Sequence, residues 1–281
     1  MRLRELGFTE GQNLVIEQRF AEGRNERYAG FAAEMVRLDA DVVVASNGPA
    51  TRAVLAASST MPIVTTAVPD PVRSGLVASL GRPGGQVTGI SNLADDLVPK
   101  RLELIKDAVP GARQVAFARC PQCLIASGAG AAEVDAMKDK YESAARSLGL
   151  KLLLLEVNAK EDFDSVAASL RQQRPDALLI GATPTNVALR HEWLAIAAEQ
   201  RLPMLAPYRE FGAMLSYGPD IVAIYRRAAE FVVKILQGER PGELPMEQPT
   251  RFEFVVDLRI ASSIGLVIPN EVLLRADEVL R

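Results

Sequence analysis

An α/β fold with two doubly wound lobes around a ligand cleft is the class the sequence predicts, on three observations. Short apolar or β-branched runs alternate with helical patterns along the chain, the signature of βαβ units and parallel sheets with right-handed crossovers. Several of those runs are continuously apolar, such as Val42-Val43-Val44-Ala45 and Leu152-Leu153-Leu154-Leu155, as strands covered on both faces are. The chain has 281 residues, enough for about two domains.

The strand candidates, in order, are 14–19, 41–45, 63–66, 87–90, 114–118, 151–157, 177–180, 204–206 and 252–257, with a further short strand ending at the Gly218-Pro219-Asp220 turn. Helical patterns occupy 24–38, 49–58, 98–108, 133–148, 162–173, 185–199 and 220–237. Asp162 and Asp220 are expected N-caps, and Gly149 and Gly238 follow their helices as the residues that end them. Crossings between lobes are expected near 92, 218 and 249, which gives one lobe of 1–92 plus 219–249 and a second of 93–218 plus 250–281. A doubly wound lobe places its first strand in the middle of its sheet, whereas this chain opens on Arg2–Leu6, the tail of a helix, and reaches a strand pattern only at Leu14. The expectation is that Met1 is not the natural start and that a strand, its loop and a signal peptide lie upstream.

Composition narrows the function. The net charge is −3 with the signs mixed along the chain, and only 5% of residues are aromatic. A basic face or a stacking platform for nucleic acid is therefore not expected. The longest weakly charged stretch, 42–68, is interrupted by Asn47, Gly48, Pro49 and Arg52, so no run of roughly 20 apolar residues exists to span a bilayer. Enzyme signatures are missing: no GxxxxGK, no GxGxxG after a strand, no GxSxG. The single histidine, His191, lies in a helical pattern beside Trp193 and reads as structural. No metal or cofactor is expected.

Ligands of open α/β sheets bind beyond the carboxyl ends of the strands. After strand 41–45 come Asn47, Gly48, Pro49, Ala50 and Thr51; a proline in the first turn and the helix dipole make this helix start suited to an anion, with an ordinary turn as the plain reading. After strand 63–66, Asp70 sits between two prolines and reads equally as a cleft carboxylate or a turn cap. Ser91 and Asn92 fall at the first crossing, to bond ligand or loop backbone. In the second lobe, Thr183 is the cleft hydroxyl and Thr185 the expected N-cap, while Tyr208 and Phe211 are aromatic candidates for a ligand side chain or for packing. Tyr217 and Asp220 stand at the second crossing, where Asp220 serves as helix cap, ligand contact or both. Cys120-Pro121-Gln122-Cys123 points elsewhere: a C-x-x-C pair between strand and helix reads as a redox pair or a small disulfide, and lacks two ligands for a zinc site.

Four stretches carry a resemblance over nearly the whole chain: LRELGFTEGQNLVIEQRFAEG at 3–23, VPDPVRSGLVASLGRPGGQVTGISN at 68–92, KRLELIKDAVPG at 100–111 and LPMEQPTRFEFVVDLRIASSIGLVIP at 244–269. The chain resembles the substrate-binding proteins of ABC transporters with the type I periplasmic-binding-protein fold, two Rossmann-like lobes, and looks most like the subfamily of tryptophan and tyrosine binders. The resemblance implies a monomeric, periplasmic, non-enzymatic receptor that takes an amino acid or related small organic acid and hands it to membrane permease subunits. It also implies that an acidic group at Asp220 pairs with a ligand ammonium and that the Cys120–Cys123 loop lines the cleft. Members begin with a signal peptide and a strand, from which this sequence departs. The rival readings are a thiol–disulfide redox protein using Cys120 and Cys123, and a cytoplasmic ligand-sensing domain.

Overall fold

The computed structural model describes residues 2–281. The chain divides into two compact units: unit 1 holds the residues up to Leu93, Ala126–Ala129 and Ile221–Pro249, and unit 2 holds Ala94–Ile125, Gly130–Asp220 and Thr250–Arg281. In chain order the first elements are α1 (Arg2–Glu5), α2 (Arg27–Arg37), β1 (Val43–Ala45), α3 (Gly48–Ala57), β2 (Ile63–Val68) and β3 (Val87–Ser91). Then come α4 (Val98–Ala108), β4 (Gln114–Arg119), α5 (Pro121–Ala126), α6 (Ala131–Ser147), β5 (Lys151–Glu156), α7 (Phe163–Gln173) and β6 (Ala177–Ile180). The chain continues through α8 (Pro184–Ala188), α9 (Arg190–Glu199), β7 (Met204–Ala206), β8 (Leu215–Pro219) and α10 (Ile221–Leu236). It closes with β9 (Phe252–Asp257), α11 (Leu258–Ser263), α12 (Asn270–Leu273) and β10 (Glu278–Leu280).

Unit 1 is built on a parallel sheet of order β1-β2-β3. Its middle strand is buried on both faces because neighbouring side chains point to opposite sides. Ile63 joins Val54, Val87 and Met246 in one core cluster; Val64 joins Ile90, Ile224, Phe231 and Leu244 in the other. The second cluster is closed by α10, whose buried Ile224, Ala228, Phe231, Val232 and Ile235 recur at helical spacing and form one apolar stripe.

Unit 2 carries a seven-stranded sheet, β10-β9-β8-β7-β6-β4-β5, in which every pairing is parallel except β8 with β9. Along β4, Val115 and Phe117 face one cluster and Ala116 and Ala118 the other, so small residues on one side admit the bulk of Leu170 and Trp193. Phe117 meets Tyr141 of α6 edge-on, 5.4 Å between centroids at 80°, and Trp193 meets Phe163 in the same way at 5.0 Å and 78°.

Four local expectations need correction. Segment 14–19 is not a strand: apart from an isolated bridge between Glu10 and Leu14 it pairs with nothing, and Val15 is 81% exposed. Propensity alone does not make a strand without a neighbour to take its backbone groups, and Arg19 instead binds Glu34 at 2.6 Å. The helix expected over 185–199 is two helices, α8 and α9, meeting at Leu189, and its cap is Thr183, whose hydroxyl accepts from the Asn186 N–H at 3.2 Å. Thr185 is fully buried and donates to the Asn158 carbonyl at 3.3 Å. Asp162 does not cap α7; its carboxylate accepts from the N–H groups of Asn158 and Ala159, at 2.8 and 3.0 Å, in the turn ahead of it. The strand β10, paired with β9, has no counterpart among the sequence candidates.

Asp257 shows how one carboxylate locks a strand–helix junction. Its Oδ1 accepts from the N–H groups of Arg259 and Ile260, at 2.9 and 3.3 Å, and Oδ2 takes the Arg259 guanidinium at 2.6 Å. The Arg259 side chain, then the two backbone N–H groups, hold the carboxyl below its ordinary 3.8 against the opposing effect of burial. A lowered folded-state pKa contributes stability that is complete above the unfolded value and disappears as pH falls through the folded one. Stability should therefore drop on acidification below about pH 4. Urea midpoints measured between pH 5 and pH 2.5 should fall less steeply for Asp257→Asn than for the parent; equal slopes would show that Asp257 does not contribute.

Candidate functional site

Both units gather their polar residues at the carboxyl ends of parallel strands, where the loops into the next helix begin. In unit 1 the turn after β1 is the most organised. Asn47 is the N-cap of α3: its Oδ1 accepts from the Ala50 N–H at 2.9 Å and its Nδ2 donates to the Tyr28 hydroxyl at 2.8 Å. Thr51, fully buried, donates its hydroxyl to the Asn47 carbonyl at 2.8 Å, and its own N–H goes to the same carbonyl at 3.0 Å. Pro49 has no N–H, so the Gly48 N–H is the first-turn donor that no described group of the chain accepts. That donor lies at the positive end of the helix dipole. Burial against this site raises the Tyr28 phenol above its ordinary range, countered by its bond to Asn47.

Segment Ala126–Ala129 completes this corner, a role no pattern in its sequence announces. Arg52 of α3 donates from Nε to the Ser127 carbonyl at 3.1 Å and from Nη2 to the Ser74 carbonyl. Ser127 lies so close to Gly48 that a Cβ there would come within 2.6 Å of the serine Cβ. Glycine at 48 is thus a packing requirement of the helix start.

The other unit 1 candidates are tied into their loops. Asp70 caps its own turn, accepting from the Arg73 N–H at 2.9 Å. Ser91, fully buried, donates to the Pro69 carbonyl at 2.9 Å, and the Asn92 N–H goes to Val68 at 3.3 Å. In unit 2, Thr183 caps α8, and Phe211 is 4% exposed inside the core cluster of Trp193. Tyr208 and Tyr217 are half-buried; Tyr217 stacks on Phe252 at 6.2 Å and meets Phe254 edge-on at 6.4 Å. Asp220 is half-buried and ends unit 2, one residue before α10.

Cys120 and Cys123 form a disulfide, with Cα atoms 5.3 Å apart, across the turn from β4 into α5. Both residues are buried, 1% and 3% exposed, so neither sulfur is presented to an attacking thiolate. The pair is a local staple, and the redox reading has no accessible sulfur to work with. Among the described residues no cluster of three metal-ligating side chains exists, and no helix is long and apolar enough to cross a membrane.

Two α/β units with strand-end polar turns define a class, the two-unit ligand receptors of periplasmic-binding-protein type. The profile of the ABC transporter substrate binding protein family matches residues 2–280, and the chain belongs to that family. It is 24% identical over 260 residues to the tyrosine-binding protein of Clostridioides difficile, covering 91% of this chain and 72% of that protein. A conserved domain protein from Vibrio cholerae has the same fold with TM-score 0.85, 28% identity and coverage of 99% and 91% of the two chains. The ABC domain from Streptococcus pneumonia solved with L-Trp superposes with TM-score 0.82 at 22% identity, covering 99% and 92%.

Proposed function

We propose that this substrate-binding protein is the periplasmic receptor of an amino-acid importer and delivers an amino acid with a large side chain to the permease subunits. The observation that carries this reading is the start of α3, where Asn47 holds the turn and the Gly48 N–H is offered at the positive end of the helix. That is a carboxylate site. In unit 2 we assign the ammonium to Asp220 and the side chain to Tyr208 and Tyr217, which stand at the ends of β7 and β8. The tyrosine binder and the tryptophan-bound structure among its relatives support an aromatic side chain. Nothing in the binding chemistry asks for catalysis, so the protein acts by capture and release.

Thermal melting with L-tyrosine, L-tryptophan, L-leucine and tyramine tests it. A ligand at 100 times its Kd adds about 2.7 kcal/mol to stability, a rise of several degrees for a protein of this size. The expected result is a rise with at least one aromatic amino acid and none with tyramine, which lacks the carboxylate. Asn47→Ala should weaken the binding and cost about 1 kcal/mol of stability through the lost cap. No shift and no calorimetric heat with any amino acid would remove the amino-acid assignment.

A further inference from the structure

Unit 2 buries an arginine completely. Arg101, at the end of the first turn of α4, is 0% exposed. Its Nε donates to the Tyr217 carbonyl at 2.8 Å and its Nη1 to the Ala94 carbonyl at 3.1 Å, while Nη2 has no hydrogen-bond partner. Gly218 lies against the same guanidinium: a Cβ there would sit 3.3 Å from Nη2 and 3.1 Å from the Pro207 carbonyl carbon. Burial pushes the guanidinium down to about 10, opposed by the nearby Tyr208 and Asp95, so it remains charged at neutral pH.

Packing does not explain this residue. A buried charge with an unused donor is costly, and an apolar side chain of similar volume is commonly neutral or stabilising in its place. What the arginine does that a leucine or methionine cannot is hold two backbone carbonyls far apart in sequence, 7 and 116 residues from itself. Ala94 is the first residue of unit 2, three residues after β3 ends at Ser91, and Tyr217 is three residues from the end of its long middle segment. The rigid fork fixes both at once, which a lysine ammonium on a flexible stem does not.

We propose that Arg101 is a positioning residue for ligand binding, its grip on the Ala94 and Tyr217 carbonyls setting how β8 presents Tyr217 and how the chain enters unit 2. This rests on the assignment of Tyr217 to the ligand. Arg101→Lys and Arg101→Met, compared with the parent by hydrogen exchange without ligand and by calorimetry with the amino acid that raises the melting temperature, test it. In Arg101→Lys the exchange of 94–98 and 215–219 should quicken at least roughly tenfold while β4 and β6 keep their protection, and affinity should fall by a similar factor. Should Arg101→Met fail to fold, the lysine variant decides. Unchanged exchange, exchange quickened evenly through unit 2, or a local gain with unaltered affinity would each overturn the proposal. If the parent binds no amino acid, the functional reading fails, and the exchange pattern alone then judges whether Arg101 tethers the two segments.

Discussion

Gly89→Ala will unfold unit 1 while leaving unit 2 native. Gly89 sits in β3 opposite Thr65 of β2 with φ +127°, a conformation L side chains rarely adopt. A Cβ there would overlap the Thr65 carbonyl oxygen and lie 2.7 Å from its nitrogen and 3.0 Å from its carbonyl carbon. Those are backbone atoms of the central strand, so nothing flexible can yield. The glycine carbonyl also accepts the Glu247 N–H at 2.9 Å, so displacing β3 breaks both its pairing with β2 and its bridge to Glu247. Strain and lost pairing together place the cost above about 4 kcal/mol. The protein carries its own reporter for the other half, because Trp193 is the only tryptophan and lies in unit 2. The variant should lose part of its far-ultraviolet circular dichroism while Trp193 keeps the emission of a buried indole. A melting temperature within about 2 °C of the parent would contradict the packing described for β2 and β3.

The second large effect is at Trp193 itself. Its indole is fully buried, edge-on to Phe163, and packs among Leu170, Leu178, Ile180 and Ile196. Trp193→Ala removes the largest side chain of that cluster and should cost about 3–5 kcal/mol, the sum of lost burial and the cavity left behind. For a unit of this size that lowers the melting temperature by roughly 10 °C. Trp193→Phe should cost less than half as much. It keeps an aromatic ring and removes an indole N–H that has no hydrogen-bond partner, so part of the cavity penalty is offset. Equal losses for the two variants would mean that a ring at 193 adds nothing to this cluster, against the packing with Phe163 and its neighbours.

What could be read before folding follows the reach of each signal. The start of α3 was legible because its information is local: Asn47 accepts from a residue three positions on, and Pro49 is compatible only with the first turn. The apolar stripe of α10 was legible for the same reason, since helical periodicity needs no knowledge of the partner. The runs 42–45 and 152–155, read as covered on both faces, instead belong to the edge strands β1 and β5, where Val44 is 44% exposed, because which strand lies at an edge is set by pairing. Thr183 and Thr185 show the limit of that resolution. Both are acceptable caps at the entrance to one helix, and the burial of Thr185 beside Asn158 decides between them.

Other features were out of reach. Residues 14–19 carry a strand pattern, yet pairing is a property of two segments. The sequence around Ser127 is a small-residue turn between two helices, and only its contact with Arg52, 75 positions away, makes it part of the α3 corner. The β8–β9 pairing runs antiparallel although both neighbouring segments read as strands of a parallel sheet; the chain leaves unit 2 after Asp220 to form α10 and returns at Thr250.

Arg101 marks the division most sharply. By sequence alone it is one cation after Lys100 in the helical pattern 98–108, while periodicity and caps determine the class of fold and the capped start of α3 at Asn47, and four resembling stretches point to the family. The tertiary structure alone places that guanidinium in the core, gripping carbonyls 7 and 116 residues distant. Local chemistry acts over three or four residues and is written in order along the chain; which distant backbone a buried charge will hold is settled only when the sheet brings the segments together.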